Sequence, residues 1–117
     1  MKRITLLLGV ALLPLTAAAA EPAPSIGLIT KTETNPFFVK MREGAEAEAK
    51  RQGLRLLTAA GRRDGDNAGQ VTAIENMVAA GARALLIAPS DAQAIVPALK
   101  KARARGVLVI ALDSATD

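Results

Sequence analysis

The sequence predicts an α/β fold, a partial doubly wound parallel sheet in which four strands alternate with three helices. Three observations carry this. Short, mostly apolar runs alternate with longer stretches whose apolar residues recur every three or four positions. Gly53, Gly81 and Gly106 each stand between such a stretch and the next apolar run, at the spacing of one helix and one strand per unit. Crossovers of that length are right-handed, and winding them in both directions from the first strand gives the sheet order 2-1-3-4, with helices on both faces.

Taken in order, residues 25–30 form a first strand buried on both faces. Pro36 then fixes φ for a first helical position, and Asn35 before it is an N-cap. Phe38, Met41, Ala45 and Ala49 line one face of the first helix, and Lys40, Glu43, Glu46, Lys50 and Arg51 fall mostly on the other. Gly53 ends that helix, and residues 54–58 form the second strand.

Residues 61–66 are a loop by their glycines and charges, and Asn67 with Gln70 has the spacing of a capping box. Val71, Ile74 and Val78 mark the inner face of the second helix, which Gly81 closes. Residues 83–88 are the third strand, stopped by Pro89. Ser90 and Gln93 repeat the capping-box spacing before a third helix with Ile95, Leu99 and Ala102 on its apolar face. Pro97 requires either that the regular helix starts near Ala94 or that it kinks. Residues 107–111 form the fourth strand, an open edge that ends at Leu112-Asp113-Ser114.

The amino terminus has the layout of a secretory signal peptide: Met1-Lys2-Arg3, an apolar stretch from Ile4 to Leu15, and four alanines at 17–20. Cleavage after Ala20 leaves residues 21–117 as one domain that is not membrane-embedded, because the apolar stretch is broken by Pro14 and too short to span a bilayer. The protein has no cysteine, which excludes disulfides and a thiol for lipid attachment and fits a soluble protein of a bacterial periplasm. Two of the cations behind the net charge of +4 are Lys2 and Arg3. The other charges are of both signs and interspersed, which argues against a nucleic-acid partner.

Phe37 and Phe38 are the only aromatic residues in the sequence. They follow the carboxyl end of the first strand, where open parallel sheets bind ligands, so the pair reads as a stacking platform. Catalysis has little support. With no histidine and no cysteine, neither a His-based triad nor a thiol nucleophile can be assembled, and no glycine-rich phosphate loop follows the first strand. A hydrolase using Asp113 with Glu33 is the remaining acid chemistry. Asp64, Asp66, Gly69 and Glu75 match the spacing of a calcium loop, but Ala68 stands at one ligand position and the same residues start a helix, so no metal or other cofactor is expected.

Residues 26–38, then Gly44-Ala45, Ala88-Pro89-Ser90-Asp91 and residues 109–113, resemble the ribose- and fructose-type periplasmic sugar-binding proteins of ABC importers, along almost all of residues 21–117. The resemblance implies the first part of a type I periplasmic-binding-protein lobe, here the amino-terminal lobe of a protein whose second lobe is absent. It implies a monosaccharide ligand, fructose- or ribose-like, held in a two-lobe cleft without chemical change, and an ABC permease of the inner membrane as partner.

On the same resemblance Phe37 and Phe38 lie against the sugar ring, whose axial C–H groups an aromatic face covers. Asn35 and Asp113 bind its hydroxyls, and Lys31 and Glu33 select among sugars from the loop before the motif. Ser114 stands where ribose-specific members present an arginine, which argues against ribose itself. The alternative is a truncated remnant without transport activity, or a single-lobe interaction module that uses its exposed edge.

Overall fold

A computed structural model describes residues 17–116, so most of the expected leader, residues 1–16, lies outside the described residues. Strand β1 (Ser25–Thr30) pairs in parallel with β2 (Arg55–Ala60) on one side and β3 (Ala84–Ile87) on the other, and β3 pairs with β4 (Leu108–Ala111). The order is β2-β1-β3-β4, as expected from the sequence. The crossovers are α1 (Pro36–Gln52), α2 (Asn67–Ala79) and α3 (Val96–Ala104).

The strands after each helix start one residue later than the apolar runs suggest, and for β2 and β4 the reason is shared. At each helix end the residue after the glycine donates its N–H back into the last turn: Leu54 to Ala49 O, Ala82 to Met77 O, and Val107 to Ala102 O. Each of these residues closes a helix before the sheet begins. Gly53 takes the left-handed φ of 68° that this closure needs. At its far end β2 runs to Ala60 instead of Thr58, because Ala59 and Ala60 stay in register with Ile29 and Thr30.

The cap of α2 and the turn before α3 also differ. Asp66, not Asn67, caps α2, its Oδ1 accepting the Gly69 N–H at 3.0 Å. Ahead of α3 the carboxylate of Asp91 accepts the N–H groups of Gln93 and Ala94, at 3.0 and 2.8 Å. Asn67 Oδ1 and Ser90 Oγ, the groups that capping boxes would use, are buried without a hydrogen-bond partner among the described residues. Pro97 resolves to the first of its two alternatives: α3 begins at Val96, so the proline sits in the first turn, where no backbone N–H is missed.

The core lies between the sheet and α2 with α3. Ile29, Leu85, Ile87, Ile74 and Ile95 are fully or almost fully buried there. A side chain at Gly27 would run into Leu85 and Met77, so glycine lets α2 close on β1. Leu28 points to the opposite face, where α1 covers β1 and β2 with Phe38 and Ala49. No helix among the described residues covers that face of β4, and Leu108 and Ile110 are 60% and 43% exposed.

Candidate functional site

Parallel strands bring every strand's carboxyl end and every helix amino terminus to one rim of the sheet. The loop leaving β1 is fixed there by its own hydroxyls. Thr30 Oγ1 donates to Thr32 O at 3.0 Å, and Thr32 Oγ1 accepts the Asn35 N–H at 3.1 Å. Asn35 Oδ1 in turn accepts the Phe37 N–H at 2.9 Å. That bond uses one face of the amide and leaves its NH2 donors available to a ligand.

The structure separates the two rings. Phe37 is 57% exposed, whereas Phe38 is 5% exposed. Their centroids lie 5.2 Å apart at 78°, edge to face. The platform expected from the sequence is therefore one open ring, Phe37, backed by a buried one. Helix geometry is the cause: adjacent residues point about 100° apart, and Phe38 shares the inner stripe with Ala49.

Asp113 comes to this rim from the end of β4. Leu112 continues the sheet by donating to Ile87 O at 2.7 Å, and Asp113 then turns out at φ 64°, the one non-glycine residue with positive φ among those described. Its Oδ2 lies 3.0 Å from Lys31 Nζ. Strand β3 stands between β1 and β4, so the Lys31 side chain reaches across the end of β3 to make this pair. The lysine side chain is 18% exposed and the aspartate 36%. Glu33 is exposed at the side of the rim, in a shallow pocket of about 230 Å3 with Thr34, Ala60, Gly61 and Arg62.

Gln70, expected in a capping box with Asn67, has a different role at the rim. Gln70 is fully buried, donates from Nε2 to Thr30 O at 3.1 Å and Ala88 O at 2.9 Å, and accepts the Ser90 N–H on Oε1 at 2.9 Å. It ties the ends of β1 and β3 to the loop before α3. The signal was present: Gln70 is the polar member of the stripe Ala73, Ile74 and Met77, and a polar group on an apolar stripe has a buried partner to meet.

Asp66, which caps α2, and Asp91, in the turn before α3, are both held as carboxylates by backbone N–H groups. The backbone N–H groups of Arg62 and Gly69, followed by the Arg62 guanidinium, hold Asp66 below the ordinary aspartate range. The N–H groups of Ala94 and Gln93 do the same for Asp91. With Asp66 committed to its cap and Asn67–Ala79 helical, this segment is not wound as a calcium loop.

The rim thus carries an exposed aromatic face, an amide, and an ammonium paired with a carboxylate. Side chains of these types can cover an apolar ring face and hydrogen-bond to hydroxyls.

Known proteins share this arrangement of sequence and fold. The D-ribose/D-allose-binding protein of Pseudomonas aeruginosa is 39% identical over 109 residues, which cover 90% of this chain and 34% of the relative. The ribose import binding protein RbsB of Bacillus subtilis is 34% identical, covering 99% of this chain and 42% of its own length. Among solved structures, an ABC transporter periplasmic solute-binding protein from Actinobacillus succinogenes with bound D-allose superposes with a TM-score of 0.75 at 35% identity, over 80% of this chain and 33% of that one. The chain spans about a third of the length of the first of these relatives and of that solved structure. Residues 26–117 match the model of a periplasmic binding protein domain, and the chain belongs to the periplasmic binding protein family.

Proposed function

We propose that this chain supplies the amino-terminal half of a cleft that binds a neutral monosaccharide, fructose- or ribose-like, for an ABC importer, and that it changes no bond in the sugar. Phe37 covers the apolar face of the ring, backed by Phe38. Asn35, Asp113 and Lys31 take the hydroxyls, and Glu33 reads the sugar's periphery. A second lobe closes over the ligand, and the closed form is what an inner-membrane permease meets. The leader at residues 1–20 sends the protein to the periplasm, where it is free of the membrane.

One observation carries this reading: the 3.0 Å contact between Lys31 and Asp113, which joins the loop that leads into α1 and Phe37 to the end of β4. Calorimetric titration with D-fructose, D-ribose and D-allose tests it, using the single lobe alone and the same lobe joined to the carboxyl-terminal lobe of a ribose/allose-binding relative. The two-lobe form should bind one of these sugars, and the single lobe far more weakly or not at all. Tight binding by the single lobe, or none by the two-lobe form, contradicts the proposal.

The exposed Leu108 and Ile110 on β4 favour a second reading, an interaction module that associates through this edge. A concentration-dependent dimer lost on Ile110→Lys would support it.

A further inference from the structure

Helices α2 and α3 lie side by side on the sheet face opposite α1, and the crease between their outer surfaces is an open groove of about 310 Å3. Its two walls differ in charge. Glu75 stands on the α2 side and Lys101 and Arg105 on the α3 side, all three exposed. No ion pair among the described residues uses any of them. Between the charges, Val71 and Val78 are half-buried and Pro97 is exposed. We propose that a second copy of the chain docks in this groove, in a two-fold dimer that stacks α2 of each copy on α3 of the other.

The pattern of charge and height selects that occupant. A two-fold axis along the groove keeps the height of every residue and exchanges the walls, so the acidic wall of each copy meets the basic wall of the other. An axis across the groove would stack Glu75 on Glu75 and Lys101 on Lys101, which repel. Helices α2 and α3 run parallel, as crossovers between parallel strands, and close at the equivalent glycines Gly81 and Gly106. Glu75 is six residues before the first glycine and Lys101 five before the second, so Glu75 of one copy stands level with Lys101 of the other, and Arg105 is one turn further on. Val71 and Pro97 are level by the same count, ten and nine residues before those glycines, and form an apolar contact beside the charged one. A foreign helix would need the same stripe flanked by the same charges; this chain carries its own complement.

Burial of the valines and the proline supplies the attraction, and the ion pairs set the register. With α2 only about 20 Å long, the face is small beside the roughly 800 Å2 per partner of a stable complex, so the dimer is weak, with a Kd of about 10 to 500 µM. It does not depend on the sugar-binding reading.

Sedimentation velocity of the protein from about 10 µM to 1 mM tests this, and the monomer should give way to a dimer across that range, less so with added NaCl. Glu75→Lys makes both walls basic, and Lys101→Glu with Arg105→Glu makes both acidic. Each variant alone should dimerise about 10-fold or more weakly than the parent, whereas the two mixed in equal amounts should form a heterodimer at least as tight as the parent dimer. All three positions are exposed, and circular dichroism checks that the variants fold. Ile110→Lys should leave this dimer intact, which separates it from association through the β4 edge. A protein that stays monomeric through the whole range, or a dimer that both charge variants leave unchanged, overturns the proposal. A dimer lost on Ile110→Lys alone overturns it too and assigns association to β4.

Discussion

Replacing Phe37 with Ala removes an exposed ring, so folding stability should change by less than about 0.5 kcal/mol while sugar binding by the two-lobe form weakens by about 1 to 3 kcal/mol. Replacing Phe38 with Ala opens a hole under α1 and should cost the fold about 3 kcal/mol or more. Urea denaturation and calorimetry on the same two variants measure both effects. Equal stability losses, or an unchanged affinity for Phe37→Ala, would contradict the assignment. The sequence made this pair conspicuous but also misled. Phe38 already headed the stripe with Met41, Ala45 and Ala49, and that stripe has one side facing the sheet, so both rings could not face a ligand equally. The meeting of Lys31 and Asp113 was not legible in the same way, because it depends on a lysine reaching across β3.

Gln70 sets the mechanical quality of the rim at the scale of elements. Gln70→Leu strands the Ala88 carbonyl and the Ser90 N–H, while Thr30 O keeps the Gly61 N–H at 3.2 Å, and should cost about 2 to 4 kcal/mol in urea denaturation. A loss well under 1 kcal/mol would show that water or relaxation replaces those bonds. Asp66 gives the pH dependence. Its pKa is lowered in the fold by N–H groups that the unfolded state lacks, so its stabilising contribution is present above the unfolded aspartate value, about 4, and is lost as pH falls through the lower folded value. Asp66→Asn should therefore lower Tm at neutral pH and flatten its fall in acid; an acid limb as steep as the parent's would remove Asp66 from this role. Helix ends were readable, because a positive φ calls for glycine whatever the tertiary context. The starts of α2 and α3 were not. Asp66 and Asn67, like Ser90 and Asp91, are adjacent residues of equal capping talent, and burial of Gln70 and the Arg62 contacts decided between Asp66 and Asn67.

Across the whole molecule, the order β2-β1-β3-β4 is the one expected of a doubly wound sheet, and right-handed crossovers running in opposite directions from β1 put helices on both faces. That order brings the loop after β1 and the end of β4 to a common rim, so Lys31 and Asp113, far apart in sequence, meet there. The face of β4 that carries Leu108 and Ile110 was harder to foresee, because an apolar run reads alike whether a helix covers it or not.

Isotope-filtered NOE spectroscopy of the two-lobe form, with labelled protein and unlabelled sugar, asks most directly whether the Phe37 rim holds the ligand. Cross-peaks should run from the Phe37 ring protons to the axial C–H protons of the sugar, with further contacts at Asn35 and Asp113. A bound sugar whose cross-peaks bypass Phe37, in the groove between α2 and α3 for example, would contradict the assignment.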